Sequence, residues 1–144
     1  MITCLALGLV LLVHAQAQKA EVYSPGGTAI KGYDPVAFFT DGKAVKGSDK
    51  LIYSWHGASW QFASQRNLDL FKANPDKYAP QYGGYCAYGT AQGHKAPIEI
   101  DTWTIAGNKL YFNYDQDVKS KWMKDQPGYI KKADMQWPSI RNKD

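Results

Sequence analysis

The residues best suited to chemistry lie in Tyr82-Gly83-Gly84-Tyr85-Cys86-Ala87-Tyr88-Gly89. Paired glycines let a backbone adopt positive φ or pass close to another group, and phenols supply apolar walls with polar tips. A thiol in such a loop has three uses. As a thiolate it would suit Cu(I) or Zn(II), and His94 and His56 could complete a site of one sulfur and two imidazoles with an open position. As a redox centre it would need a thiol pKa lowered by a helix N-terminus or a nearby cation. As a buried side chain it would be a small, inert hydrophobe. The residues alone leave all three open. Tyr82, Tyr85 and Tyr88, with Trp55, form a candidate binding surface that could line a ligand pocket or belong to the core.

Other chemistries find little support. The sequence has no Cys-x-x-Cys, no glycine-rich phosphate loop ending in Lys-Ser/Thr, no serine nucleophile elbow and no His-Glu-x-x-His, so it assigns no enzyme activity. Glu99 and Asp101 would share one face of a strand, and Asp34 is better placed as a helix cap than as an acid–base partner. Seventeen Lys and Arg against thirteen Asp and Glu leave a net charge of +4, which favours weak attraction to anionic surfaces. Scarce arginine tells against nucleic-acid recognition. The expected partner is a metal ion, copper or zinc, or a small ligand.

The N-terminus reads as a targeting segment. Residues 5–13 are an apolar run followed by Ala15-Gln16-Ala17, a small-x-small cleavage site that predicts a signal peptide over 1–17 and a mature start at Gln18. Residues 1–5 lack the usual basic residue, and Cys4 lies ahead of the run and leaves with the signal. The run is too short for a transmembrane anchor, so the protein is expected to be secreted or periplasmic. Cys86 is then the one mature cysteine, an odd thiol in an oxidising compartment.

The elements that must position these residues follow from pattern. Residues 18–29 read as a flexible lead-in. Asp34-Pro35 predicts a capped helical turn through residue 39. Residues 51–55 and 60–63 predict strands joined by a hairpin at 56–59. Ser64 caps a helix to about residue 73, with Leu68 and Phe71 facing inward, and Asn74-Pro75 ends it. Residues 76–97 read as one long irregular segment around the cysteine. Residues 98–105 and 109–114 predict a second strand pair. Asp115 caps a helix to about 124, with Val118 and Trp122 inward and Lys119, Lys121 and Lys124 outward or in its last turn. Pro127-Gly128 breaks it before a short closing helix over 129–137. The sum is a single compact α+β domain, one short antiparallel sheet with several short helices packed on it.

The stretches Tyr53-Ser54-Trp55-His56-Gly57, Trp60-Gln61-Phe62-Ala63-Ser64 and Phe71-Lys72-Ala73-Asn74-Pro75-Asp76-Lys77-Tyr78 resemble the YHS domain. Gly32-Tyr33-Asp34-Pro35-Val36-Ala37-Phe38-Phe39 and the Cys86 stretch itself are similar to an exported bacterial branch of that family. The similarity covers about residues 30–140. It implies an α+β domain and a role in heavy-metal handling. Metal-linked members carry cysteines where this chain has Ala63 and Asn67, so their thiolates do not transfer. Relatives of the exported branch carry selenoprotein-type names, which implies a chemically active position at or near Cys86. The expectation is therefore an exported YHS-like domain binding a transition metal through Cys86 and nearby histidine. A thiol-dependent redox protein and a non-catalytic small-molecule or structural module are the alternatives.

Overall fold

The computed structural model describes residues 20–143, and the expected signal peptide over 1–17 lies outside them. The chain runs through α1 (Ala37–Thr40), β1 (Ser48–Trp55), β2 (Ala58–Phe62), α2 (Gln65–Ala73), α3 (Pro75–Tyr78), α4 (Ala87–Ala91), β3 (Glu99–Ala106), β4 (Lys109–Asn113), α5 (Gln116–Met123) and α6 (Gln126–Ile140). Three short 3-10 turns are interspersed, at Pro25–Gly27, Ala29–Gly32 and Gln81–Gly84. The α+β class is as expected, but the strands form two separate antiparallel hairpins instead of one sheet.

Each hairpin closes on a two-residue turn in which both residues have positive φ. These are His56 and Gly57 at 49° and 74°, and Gly107 and Asn108 at 55° and 62°. Such turns match the twist of antiparallel strands and set their register locally. The outer edges then meet other segments: Ser59 of β2 bridges to Thr28, and Phe112 of β4 bridges to Cys86.

Packing follows side-chain alternation. Trp60 and Phe62 lie two apart on β2 and are both fully buried. Their rings meet Phe71 of α2 at centroid distances of 5.1 and 5.2 Å. Burying rings of this size contributes several kcal/mol each, about 3–5 on truncation. A second cluster joins Tyr82, Tyr111 and Trp122 to Ala133 of α6.

Buried Asp34 ties three elements together. One of its oxygens accepts from the Val36 and Ala37 amides, and the other from the Ala63 amide and the Asn67 side chain. It is thus a cap, as its position before Pro35 suggests, and it also clamps the start of α1 to the end of β2 and to α2. Ser64 and Asp115 cap α2 and α5 by accepting from Asn67 and Val118.

Three stretches differ from expectation. Residues 76–97 are not irregular throughout: they contain most of α3, a 3-10 turn and α4. These pieces are too short to show helical periodicity. Helix α5 stops at Met123, before Pro127, and Pro127 stands instead in the first turn of α6, where its missing N–H costs nothing. Asp125 caps that helix through the Gly128 amide, and α6 runs to Ile140, past the expected end at 137. Within the stretch read as a flexible lead-in, the segment from residue 20 onward is packed down, with Val22 and Ala29 buried. The Tyr23 amide donates to the Gly83 carbonyl and the Ile30 amide to the Tyr23 carbonyl.

Candidate functional site

Cys86 sits at the N-cap of α4, buried at 1% exposure. Its sulfur accepts backbone N–H bonds from Gly89 at 3.4 Å and Tyr114 at 3.2 Å, and its thiol donates to Asn113 Oδ1 at 3.6 Å. Burial pushes the thiol pKa up, and the neighbouring amides offset only part of that. A raised pKa in a closed, hydrogen-bonded setting is opposite to what a reactive thiol needs. The redox expectation therefore finds no support in this geometry.

The expected metal set is not assembled. His94 is exposed in the loop after α4, and its amide donates to the Gly89 carbonyl. His56 is at the tip of the β1–β2 turn, its ring stacked on Trp55 at 3.7 Å and its Nδ1 3.2 Å from Glu21 Oε1. Among the described residues, no group of three His, Cys, Asp or Glu side chains is placed to hold a metal ion. The Cys86 sulfur already serves three partners in a closed core, so a metal there would have to displace them. These residues do not fit a Cys86-anchored metal centre.

The glycines beside the cysteine have a clear physical role. A Cβ built on Gly83, at φ 64°, would lie 1.8 Å from the Glu21 carbonyl oxygen. One on Gly84, at φ 89°, would lie 2.9 Å from Ile30 Cγ2. The loop is therefore a cradle for the N-terminal segment, since only glycine allows the two backbones to approach this closely.

That docked segment builds one wall of a cleft of about 390 Å³. The β1–β2 turn brings Trp55 and His56, the loop before Cys86 brings Tyr82, and α6 brings Asp134, Trp137 and Arg141. Trp60 Nε1 donates to the Trp55 carbonyl at 3.0 Å, which fixes the hairpin end. Tyr82, in a left-handed conformation at φ 57°, donates its hydroxyl to Asp134 Oδ1 at 2.9 Å. Burial, and then the Asp134 carboxylate, drive that phenol's pKa far up, so Tyr82 stays a neutral donor. Tyr82 and Trp137 stack edge-on at 6.1 Å.

Glu21 ties the N-terminal segment to the end of α6. Its Oε1 accepts from Arg141 Nη2 at 2.6 Å and faces His56 Nδ1. Burial would raise its pKa, but the hydrogen bonds and charges of Arg141 and His56 together outweigh that and hold it below the usual glutamate value.

Of the four aromatic residues expected to bind, Trp55 and Tyr82 line this cleft. Tyr85 packs edge-on against Tyr23 on another face, and Tyr88 stacks with Tyr129 at 5.1 Å. Glu21, Asp134, Trp137 and Arg141 were not singled out from the sequence. Glu21 and Arg141 are 120 positions apart, and no local pattern links them. The one local hint is Pro138, which follows Trp137 inside α6 and marks a helix end that cannot be ordinary.

Comparison with known proteins places this geometry beside a family. Residues 36–82 match the YHS domain, a family linked to metal binding. The match runs from α1 through α3 to Tyr82 and ends before Cys86 and α6. No curated protein and no solved structure matches the chain.

Proposed function

We propose that this protein is a non-catalytic binding module whose ligand site is the aromatic cleft between the β1–β2 turn, the N-terminal segment and α6. The observation that carries this reading is the convergence of four chain segments on one concavity, with aromatic walls and a few fixed polar groups. Ligand sites have that composition and lie where elements meet. The Glu21–Arg141 and Tyr82–Asp134 pairs hold polar groups in place before any ligand arrives, which lowers the ordering cost of binding. Residues 1–17, taken as an export signal, would put this binding outside the cytoplasm. A mature N-terminus at Gln18 by mass analysis is the expected result, and retained residues 1–17 would refute it.

The family's link to metals motivates a copper or zinc reading, but at Cys86 that reading meets a sulfur already committed to three partners. Titration under reducing conditions against a Cu(I) chelator separates the two. Wild type and Cys86→Ser are expected to behave alike, with no site tighter than about micromolar. A tight Cu(I) site lost in Cys86→Ser would restore the thiolate reading. For the cleft itself, a fragment screen followed by two-dimensional NMR is expected to shift Trp55, Trp137 and Tyr82 signals together. Hits that cluster elsewhere would reject it.

A further inference from the structure

We propose that the cleft takes a small organic cation, an ammonium group carried on a compact apolar body. This rests on the cleft being the ligand site. Three carboxylates line it, Glu21, Asp76 and Asp134, against the single guanidinium of Arg141. Glu21 is already matched by Arg141 and His56. Asp76 and Asp134 have no ion-pair partner among the described residues, and Asp134 accepts only neutral donation from Tyr82. The cleft is thus locally acidic on a chain of net charge +4, and that reversal of sign is what a cationic ligand would read.

The backbone adds to the same field. Asp134, Trp137, Pro138 and Arg141 belong to the last turns and C-cap of the fifteen-residue helix α6. The C-terminal end of a helix carries partial negative charge. Pro138 has no N–H to offer the Asp134 carbonyl, so that oxygen loses its usual helical donor. The helix end already holds one internal cation: Lys95 Nζ donates to the Arg141 carbonyl at 2.7 Å and lies 5.8 Å from the Trp137 ring centroid. Lys95 is buried and lines a concavity other than the cleft, and its charge offsets part of the helix-end field. Of the other ammonium groups, Lys77 lies over the Tyr78 ring and Lys131 lines a neighbouring concavity that also includes Asp134.

Aromatic walls complete the chemistry. Trp55 and Trp137 are half-buried rings in the cleft lining, and a desolvated ammonium against an aromatic face is attracted through the ring quadrupole. One side of Trp55 carries His56 and Tyr82 is buried behind Trp137, so Trp137 is the main wall. An anion would meet two unmatched carboxylates and a helix C-terminus. A neutral ligand would gain the apolar contact but not the field.

The test uses the full chain and two probes of one shape: choline chloride, and 3,3-dimethyl-1-butanol, its neutral isostere. Chemical-shift titration is expected to show saturable choline binding at the Trp55 and Trp137 indole signals, with the alcohol at least about tenfold weaker. Asp134→Asn keeps an acceptor for Tyr82, and it is expected to weaken choline about three- to tenfold while leaving the alcohol unchanged. Trp137→Ala should weaken both, with the buried Trp122 signal reporting that the fold is intact. Equal binding of both probes overturns the cationic class and leaves the cleft reading standing. Choline binding insensitive to both variants puts the cation elsewhere and also overturns the proposal. If neither probe nor a set of neutral and anionic fragments moves any cleft residue, the cleft reading itself falls.

Discussion

The loop around Cys86 and the cleft on the far side of Gly83 are neighbours in the chain and opposites in character. The loop holds the residue type with the most intrinsic reactivity, yet its sulfur is buried, hydrogen-bonded to three groups and held as a thiol. The cleft holds ordinary residues, Glu21, His56, Asp134 and Arg141, but keeps them partly solvated, prearranged and set among aromatic rings. Reactivity depends on access and electrostatic setting more than on residue type. A cysteine surrounded by glycines thus serves here to cap a helix and to bridge β4, while the glycines shape the site next door.

The largest expected effect tests the scaffold under the cleft. Phe62 is fully buried against Phe71, on the same face of β2 as Trp60. Phe62→Ala should cost about 3–5 kcal/mol in reversible urea unfolding. A loss under about 1 kcal/mol would mean that the hairpin is not anchored through this face.

The next tests the link between the two regions. Gly83→Ala puts a methyl group on the Glu21 carbonyl at a position of positive φ. The expected cost is about 2–4 kcal/mol from overpacking and backbone strain. The N-terminal segment should lift away, raising hydrogen exchange at Tyr23 and Ile30 before the rest of the fold. Unchanged exchange there would break the claim that the glycine loop exists to seat that segment.

Cys86 gives a smaller effect. Cys86→Ala strands the Gly89 and Tyr114 amides and should cost about 1–3 kcal/mol, with Cys86→Ser recovering part of it. Because its folded pKa is raised, the thiol favours the native state least at high pH: stability should fall as pH rises through the ordinary thiol range and level off above the folded value. Alkylation of native protein should track unfolding. Fast alkylation at neutral pH in the folded state would return Cys86 to the list of reactive thiols.

The smallest is a local effect of pH. The folded Glu21 carboxyl is held below its ordinary value, so its contribution is present above the ordinary glutamate range and is lost as pH falls through the folded value. Exchange at residues 21–23 should rise as pH falls below the ordinary glutamate range, with little change in global unfolding. Arg141→Gln should remove most of that dependence, and an unaltered profile in the variant would assign the effect to another carboxylate.

Much of the framework was legible because it is encoded over short distances. Asp34, Ser64 and Asp115 announce caps through side chains that bond amides two or three residues on. His56-Gly57 and Gly107-Asn108 set the hairpins through their own backbone conformations. Alternation on β2 turned Trp60 and Phe62 inward together. The short helices in 76–97 escaped because one or two turns show no period, and the end of α6 escaped because Pro138 reads as a stop.

The site lies on the other side of that divide. The sequence by itself determined the α+β class, several caps and turns, and a backbone free at 83 and 84 to take positive φ or pass close to another group. Only the tertiary structure decided that Gly83 faces the Glu21 backbone, that Cys86 is sealed, and that Glu21 and Arg141 meet. The physical reason is range. Capping and turn chemistry act over a few bonds of one chain, whereas a cleft is made by packing segments whose separation along the chain carries no pattern.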